Sequence, residues 1–181
     1  MHGTGHMKLP AVIFSKEQIA ARLHAVVKEL AALPERPRVA APVLVGAFVF
    51  AADLVRAMAE EGVHLETEMI WLRSYGNART GSAISVLAAP TEHVRGKHVL
   101  LVDGVLDMGN TIVRSRKLLL EAGAASVKTV VAVDKERSDA VDKADYALFR
   151  GVNEFVVGYG MDDAGQYRAL PYIGRVENAD A

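Results

Sequence analysis

The sequence predicts an α/β fold with a mainly parallel central sheet flanked by helices. Two segments, 39–62 and 98–123, each run from a short apolar stretch through a small turn into a helical pattern. A third apolar run, 127–133, is rich in β-branched residues and follows the second helix. Because strand–helix–strand units form parallel pairs with a right-handed crossover, the sheet is expected to be largely parallel.

The chain length allows one domain with a sizeable core. We expect residues 13–181 to form a single domain, preceded by a flexible leader, 1–12, whose start is rich in glycine and histidine. This leader lacks the apolar stretch of a signal peptide. The most apolar segment, 39–52, is shorter than the roughly 20 residues that span a bilayer, so it is interpreted as core.

The composition narrows the function classes. With 24% charged residues and a formal net charge of −1, the chain has no overall attraction to nucleic acid or to an anionic membrane, and neither is expected as a partner. The absence of cysteine excludes disulfides, thiolate metal sites and a cysteine nucleophile, and it fits a cytoplasmic protein.

The first half predicts two helices and four strands. Ser15 and Gln18 form a capping-box pattern before a helix that Pro34 ends. A strand at 39–45 and a helix at 48–61 follow, with Gly46 between them. Strands at 68–73 and 83–87 are joined by the polar segment 74–82, which indicates a long hairpin whose tip is either a solvated loop or an active-site lid. The fourth strand, at 98–102, leads into the central stretch of the chain.

That central stretch, 98–123, combines acidic and small residues at the end of a strand. Asp103 and Asp107 follow the strand, with Gly104 and Gly109 beside them, and Asn110 and Thr111 are predicted to cap a helix that ends near residue 122. Loop amides and a helix N-terminus suit a phosphorylated ligand. A tight turn with an ordinary helix cap remains the alternative.

The second half places charges at another strand end. A D-K-E-R run, 134–137, follows the strand at 127–133, and ligands in open α/β sheets lie beyond the carboxyl ends of the strands. Lys135 is therefore expected at the edge of the site, although a solvated charge cluster is the alternative. Short strands at 146–149 and 155–157 follow, and 167–173 is expected to pack back onto the domain.

The motif V-D-G-V-L-D-M-G-N-T at 102–111 resembles the ribose-phosphate signature of the type I phosphoribosyltransferases. Segments 45–54, 74–77, 133–135 and 155–174 resemble, in the same order, the pyrophosphate loop, catalytic lid, purine-selecting strand end and purine hood of the hypoxanthine-guanine phosphoribosyltransferases. This resemblance covers residues 40–174. It implies the type I phosphoribosyltransferase fold, with a flexible hairpin lid and a small hood to which 143–174 contributes.

The resemblance also implies an activity. Such a transferase makes IMP or GMP and pyrophosphate from hypoxanthine or guanine and phosphoribosyl pyrophosphate, with Mg²⁺ as cofactor. The implied partners are these small-molecule substrates and further copies of the chain, in a homodimer or homotetramer.

The same resemblance assigns roles to residues. Asp107 is the implied general base near purine N7. The implied ribose-phosphate site consists of Asp103, Gly104, Asp107, Met108, Gly109, Asn110 and Thr111. The implied pyrophosphate site is Val45, Gly46 and Arg168; the purine site is Lys135, Phe155, Val156 and Asp162; the lid includes Ser74 and Tyr75; and the Mg²⁺ ligands are Asp103 and Asp162.

Three positions depart from the family pattern. Gly104 stands where a second acidic residue is common, Met108 where threonine usually contacts the phosphate, and Val45 where lysine is frequent. These changes remove a carboxylate, a hydroxyl and a positive charge. They leave two hypotheses, a working enzyme or a catalytically weak relative that acts as a nucleotide- or phosphoribosyl-pyrophosphate-binding regulator.

Overall fold

The computed structural model describes residues 9–75 and 83–176, and strands alternate with helices through most of this range. The helices are α1 (Lys16–Ala31), α2 (Phe48–Glu60) and α3 (Asn110–Glu121), with a short 3-10 helix at Glu92–Val94. The strands are β1 (Ala11–Phe14), β2 (Val39–Leu44), β3 (Glu66–Thr67), β4 (Ile70–Tyr75), β5 (Ala83–Ala88), β6 (His98–Leu106), β7 (Ser126–Asp134), β8 (Tyr146–Arg150), β9 (Val156–Val157) and β10 (Ile173–Arg175).

The central sheet is mainly parallel, as predicted. Its strand order is β5-β4-β2-β6-β7-β8, and β3 pairs with the start of β2. All neighbouring strands from β4 to β8 in this order run parallel, whereas β5 is antiparallel to β4 and forms the predicted hairpin. Because parallel strands end at the same edge, the segments that follow β2, β6 and β7 meet there.

Helices cover both faces of the sheet. Leu100 and Val102 of β6 pack in the same core as α1 and α2, whereas the intervening Leu101 packs in the core beneath α3. This alternation is the period of two that a strand imposes on its side chains. The capping box that was predicted for α1 is present, since Ser15 and Gln18 each bond the other's backbone amide.

A second, three-stranded sheet joins the two ends of the described chain. It is antiparallel, with the order β1-β10-β9, so the earliest described strand pairs with the last one. Of the leader expected at 1–12, Ala11 and Val12 belong to β1, and residues 1–8 lie outside the described range. Strands β9 and β10 come from the predicted hood region and its edge.

Two local predictions for the central stretch were wrong. The strand was expected to end at residue 102, but β6 continues to Leu106, because its pairing with β7 carries on through Asp103 and Val105. The helix cap is Gly109, whose φ of 86° suits glycine, so Asn110 and Thr111 are the first helical residues instead of caps.

No helix in the described part of the chain combines the length and the apolar character that crossing a bilayer requires.

Candidate active site

The carboxyl ends of three neighbouring strands carry the predicted site residues. Residues 45–47 follow β2, residues 107–111 follow β6, and residues 135–137 follow β7. Since β6 lies between β2 and β7, the segment 107–111 is flanked by the other two. The chain therefore brings the predicted pyrophosphate loop, ribose-phosphate loop and purine-selecting lysine to one edge of the sheet.

Asp107 and Lys135 form an ion pair at this edge. The Lys135 Nζ lies 2.9 Å from Asp107 Oδ2, and the Lys135 amide donates to the Leu106 carbonyl (3.0 Å), which fixes the backbone of the lysine against the end of β6. The Lys135 side chain is 13% exposed and that of Asp107 is 43% exposed. The pair thus combines a well-buried donor with a carboxylate that remains open to a ligand.

A second cation reaches the same carboxylate. Arg137 Nε lies 3.4 Å from Asp107 Oδ1, and Arg137 also forms a two-bond pair with Asp139, at 2.9 Å for each bond. Four side chains therefore form a row in which positive and negative charges alternate, in the order Lys135, Asp107, Arg137 and Asp139. Sequence reasoning missed Arg137, although it stands only two residues after Lys135.

The loop before α3 is built to present backbone amides. Gly109 caps the helix with a positive φ, and a Cβ at this position would lie 3.0 Å from the Asp142 amide nitrogen. The Val141 amide donates to the Met108 carbonyl (2.8 Å), so segment 141–142 supports the loop from behind. The first amides of α3 have no partner within the helix, and together with the helix dipole they attract an anion.

Asp103 lies within β6 and is half-buried. Burial raises the pKa of its carboxyl to about 7, although the Gly104 amide, which donates to Oδ1 at 2.7 Å, acts in the opposite direction. Desolvation dominates because it disfavours the charged form, and the structure places no positive side chain against this carboxylate in the described contacts. Asp103 is therefore a carboxyl that changes charge near neutral pH.

The loop after β2 is held between two glycines. The Leu44–Val45 peptide bond is cis, and the Gly46 carbonyl oxygen lies 3.1 Å from the position of a Cβ on Gly104 and 2.5 Å from that of a Cβ on Gly160. A Cβ at Gly160 would collide with this backbone oxygen, and a Cβ at Gly104 would make a tight contact with it. A residue larger than glycine at position 104 would also press on Met161, whose Cγ is 3.1 Å from the Cβ position, so Gly104 allows both neighbours to approach β6 closely.

Arg168 is fixed beside this loop by the hood. Its Nη1 donates to the Gly160 carbonyl (2.7 Å), and its Nη2 pairs with Asp162 Oδ1 (2.7 Å). The other Asp162 oxygen accepts the Gly165 amide (2.7 Å). The same guanidinium is 3.9 Å from the Cβ position of Gly46, so a positive charge stands next to the predicted pyrophosphate loop.

The other hood residues stand on the small sheet. Phe155 directly precedes β9 and is 56% exposed, whereas Val156 is buried and pairs with Arg175 of β10. An exposed aromatic ring next to an ordered strand is available for stacking on a flat ligand. Ser74 and Tyr75 end β4, but their side chains, like residues 76–82, lie outside what the structure describes.

The candidate oxygen ligands for Mg²⁺ are isolated carboxylates on separate parts of the chain. Within residues 9–75 and 83–176, no group of three or more His, Cys, Asp or Glu side chains is placed to hold a metal. Mg²⁺ commonly keeps several waters and binds through one or two carboxylates plus substrate phosphates. Asp103 and Asp162, on separate elements, therefore fit an ion that is bound chiefly through a phosphorylated ligand.

The fold and the site define an α/β protein in which a helix N-terminus, a carboxylate–lysine pair and residues 155–168 follow or flank the carboxyl ends of parallel strands. The model of the phosphoribosyl transferase domain matches residues 13–164. The hypoxanthine-guanine phosphoribosyltransferase of Streptococcus pneumoniae is 38% identical over 134 residues, which cover 73% of each chain. The chain therefore belongs to the phosphoribosyltransferase family. Within this family it belongs to the hypoxanthine-guanine group, whose members are purine salvage transferases.

Solved structures agree. Hypoxanthine phosphoribosyltransferase from Trypanosoma cruzi, in complex with the product IMP, superposes with a TM-score of 0.83 at 33% identity, covering 92% of this chain and 94% of that one. The Staphylococcus aureus enzyme superposes with a TM-score of 0.84 at 28% identity, covering 98% and 96%.

Proposed function

We propose that this chain transfers the phosphoribosyl group of phosphoribosyl pyrophosphate to N9 of hypoxanthine or guanine, in a Mg²⁺-dependent reaction that yields IMP or GMP and pyrophosphate. The observation that carries the proposal is the Lys135–Asp107 pair, which stands directly before the amide-rich start of α3. The proposed purine-binding pair and the proposed phosphate-binding amides are thus neighbours, because Asp107 belongs to the segment between β6 and α3.

Asp107 serves as the general base in this reaction. As N9 attacks C1′, the purine loses a proton, and a carboxylate near N7 accepts or shares it. Lys135 then donates to the purine 6-oxo group, and this donor disfavours adenine, which carries an amino group there. Phe155 stacks on the base, and the Val156 backbone binds its edge.

The two phosphorylated ends are held by backbone amides. The loop amides from Met108 to Thr111 bind the 5′-phosphate at the helix N-terminus, with the Thr111 hydroxyl as a further donor. Val45 and Gly46 offer amides to the leaving pyrophosphate, and Arg168 neutralises part of its charge. Because Val45 brings no charge, Arg168 is the cation on which this loop depends.

Mg²⁺, when bound, neutralises charge on the pyrophosphate as it leaves. Asp162 is the proposed ligand on the pyrophosphate side, and Asp103 faces the ribose hydroxyls, directly or through the ion. Ser74 and Tyr75 begin the segment proposed to close over the reacting centre and exclude water.

Nucleotide synthesis from labelled hypoxanthine, guanine, xanthine and adenine tests the function. With Mg²⁺ and excess phosphoribosyl pyrophosphate, hypoxanthine and guanine should be converted and adenine should not. The regulator hypothesis, which the replacement at Gly104 favours, predicts binding of phosphoribosyl pyrophosphate in calorimetry without any product. That outcome would overturn the enzymatic proposal.

We propose further that the chain assembles into a homodimer or homotetramer, with the surface around α2 in the contact. Val45 and Phe48 are 41% and 46% exposed and stand close together in the chain at the start of α2, so they could contribute an apolar contact surface. Sedimentation of the wild type and of Phe48→Ser over a range of protein concentrations tests this proposal. The variant should already be dissociated at concentrations at which the wild type is still assembled. A monomeric wild type would refute it.

A further inference from the structure

The carboxylate of Asp107 is contacted by two cations where the proposed reaction uses one. Lys135 holds Oδ2 at 2.9 Å, and Arg137 stands 3.4 Å from Oδ1. Each oxygen of the proposed base thus has a cation beside it. The two contacts differ, however. Lys135 is proposed to bind the purine 6-oxo group, whereas Arg137 is not proposed to bind any atom of the substrates.

Purine binding must change the first contact. For Lys135 to donate to the 6-oxo group, its Nζ has to turn from Asp107 toward the base, and Oδ2 is then free to face N7. A carboxylate that lost its only partner at this step would be free to rotate, and rotation would spoil the alignment of the proton transfer. A cation beside the other oxygen opposes this rotation through charge attraction, since the one Nε–H of Arg137 is donated to Asp139.

Arg137 is held in place to be that partner. Its guanidinium forms two hydrogen bonds of 2.9 Å with Asp139, from Nε and from Nη2. The bond to Asp139 and the charges of Asp139 and Asp107 raise the pKa of Arg137, so it remains a cation throughout. The neighbouring charges do not compete for it, since Glu136 and Asp134 are paired with Arg150.

We propose that Arg137, anchored by Asp139, is a positioning residue that keeps the Asp107 carboxylate oriented toward the purine when Lys135 leaves it to bind the 6-oxo group. This inference rests on the proposed transferase function. The D-K-E-R turn, 134–137, then has a second function besides placing Lys135 in the site. The specificity for a 6-oxopurine and the alignment of the base are then coupled through one carboxylate.

Steady-state kinetics of Arg137→Gln, Arg137→Lys and Asp139→Asn test the proposal. Arg137→Gln should lower kcat by about two- to fivefold, the upper part of the range expected for losing a partly exposed ion pair. The KM for phosphoribosyl pyrophosphate should stay close to the wild-type value, because the phosphate loops are unchanged. Arg137→Lys should recover part of the loss, and Asp139→Asn should cost less than Arg137→Gln.

The matched control is Arg95→Gln. Arg95 also pairs with a carboxylate nearby in sequence, Glu92, but it lies beyond the amino end of β6, away from the site. This variant should keep the wild-type kcat. Thermal unfolding of every variant shows whether any loss of turnover arises from misfolding.

The decisive measurement is the double variant with Asp107→Asn. If Arg137 acts through Asp107, adding Arg137→Gln to Asp107→Asn should cause no further loss of kcat. An equal loss in both backgrounds, or an active wild type whose turnover Arg137→Gln does not change, overturns the positioning role. A wild type that makes no nucleotide from any purine refutes the transferase itself, and with it this inference.

Discussion

At the scale of single residues, Asp103 is the carboxyl whose pKa burial raises into the neutral range. Its carboxyl is half-buried in β6 with only the Gly104 amide as a described donor. A carboxyl in this position is well suited to a cation or to ribose hydroxyls. Its raised pKa means that it also binds a proton more readily than an exposed carboxyl does.

The raised pKa of Asp103 predicts a specific pH dependence of stability. Between about pH 4 and pH 7 the folded chain retains a proton that the unfolded chain has released, so the free energy of unfolding falls as pH rises. One such proton gives a slope of at most about 1.4 kcal/mol per pH unit. Urea denaturation without ligand should show this slope in the wild type, and Asp103→Asn should remove it.

Asp139→Asn serves as the control for this measurement. The pKa of Asp139 is lowered by its hydrogen bond to Arg137, so its contribution is complete above its usual pKa and is lost only as pH falls. Its replacement should leave the slope between about pH 5 and 7 unchanged. If Asp103→Asn kept the full slope, another group would be responsible.

Gly104 is the other residue with a testable consequence. In Gly104→Ala the flexible Met161 side chain can move away, but the Gly46 carbonyl is backbone and must shift with its loop. We expect weaker binding of pyrophosphate, by about tenfold if the shift costs roughly 1.4 kcal/mol. Calorimetry with pyrophosphate and with ribose 5-phosphate separates the sites, and equal weakening of both would contradict the structure.

At the scale of elements, the start of α3 depends on Gly109. In Gly109→Ala the new Cβ meets both a positive φ of 86° and the Asp142 amide at 3.0 Å. The strained backbone alone costs about 1–2 kcal/mol, and displacement of the phosphate loop should also raise the KM for phosphoribosyl pyrophosphate.

Gly62→Ala is the matched comparison, since Gly62 has a φ of 76° and open space around its Cβ position. It should lose stability by a similar backbone cost and keep its KM. A normal KM in both variants would mean that the loop before α3 does not bind the phosphate.

The elements also show how far sequence reasoning reaches. The units β2–α2 and β6–α3 were predictable because apolar runs of strand length are each followed by a helical pattern. The end of β6 was not, since Asp103 and Gly104 interrupt the apolar run while the ladder to β7 continues. The approach of Arg137 to Asp107 depends on the turn after β7, where Glu136 adopts a φ of 51°, and no periodicity encodes that turn.

At the scale of the whole molecule, Tyr159 links the hood to α2, one of the helices that pack on the large sheet. This buried residue donates its hydroxyl to Asp53 of α2 at 2.9 Å, and its ring packs near Phe50. Burial and the charge of Asp53 raise the pKa of the Tyr159 hydroxyl, so it remains a neutral donor. Tyr159 therefore ties the hood to α2, the helix that follows the proposed pyrophosphate loop.

Tyr159→Phe removes that hydrogen bond and keeps the ring. We expect a loss of about 1 kcal/mol in the free energy of unfolding, together with weaker pyrophosphate binding, because Arg168 and Gly160 belong to the same segment. Tyr172→Phe, which loses a bond to the Pro10 carbonyl, is the comparison and should leave pyrophosphate binding unchanged. Normal pyrophosphate binding in Tyr159→Phe would show that the hood does not need this tie.

The pairing of β1 with β10 affects the order in which the protein folds during its synthesis. Ala11 faces Arg175 in the small sheet, and roughly 160 residues of chain separate them, so this pairing can form only after synthesis has passed β10. The described strands of the large sheet all precede Arg168 in the chain, so that sheet can form before Arg168 reaches the loop after β2. A nascent chain should therefore bind the 5′-phosphate before it can bind pyrophosphate.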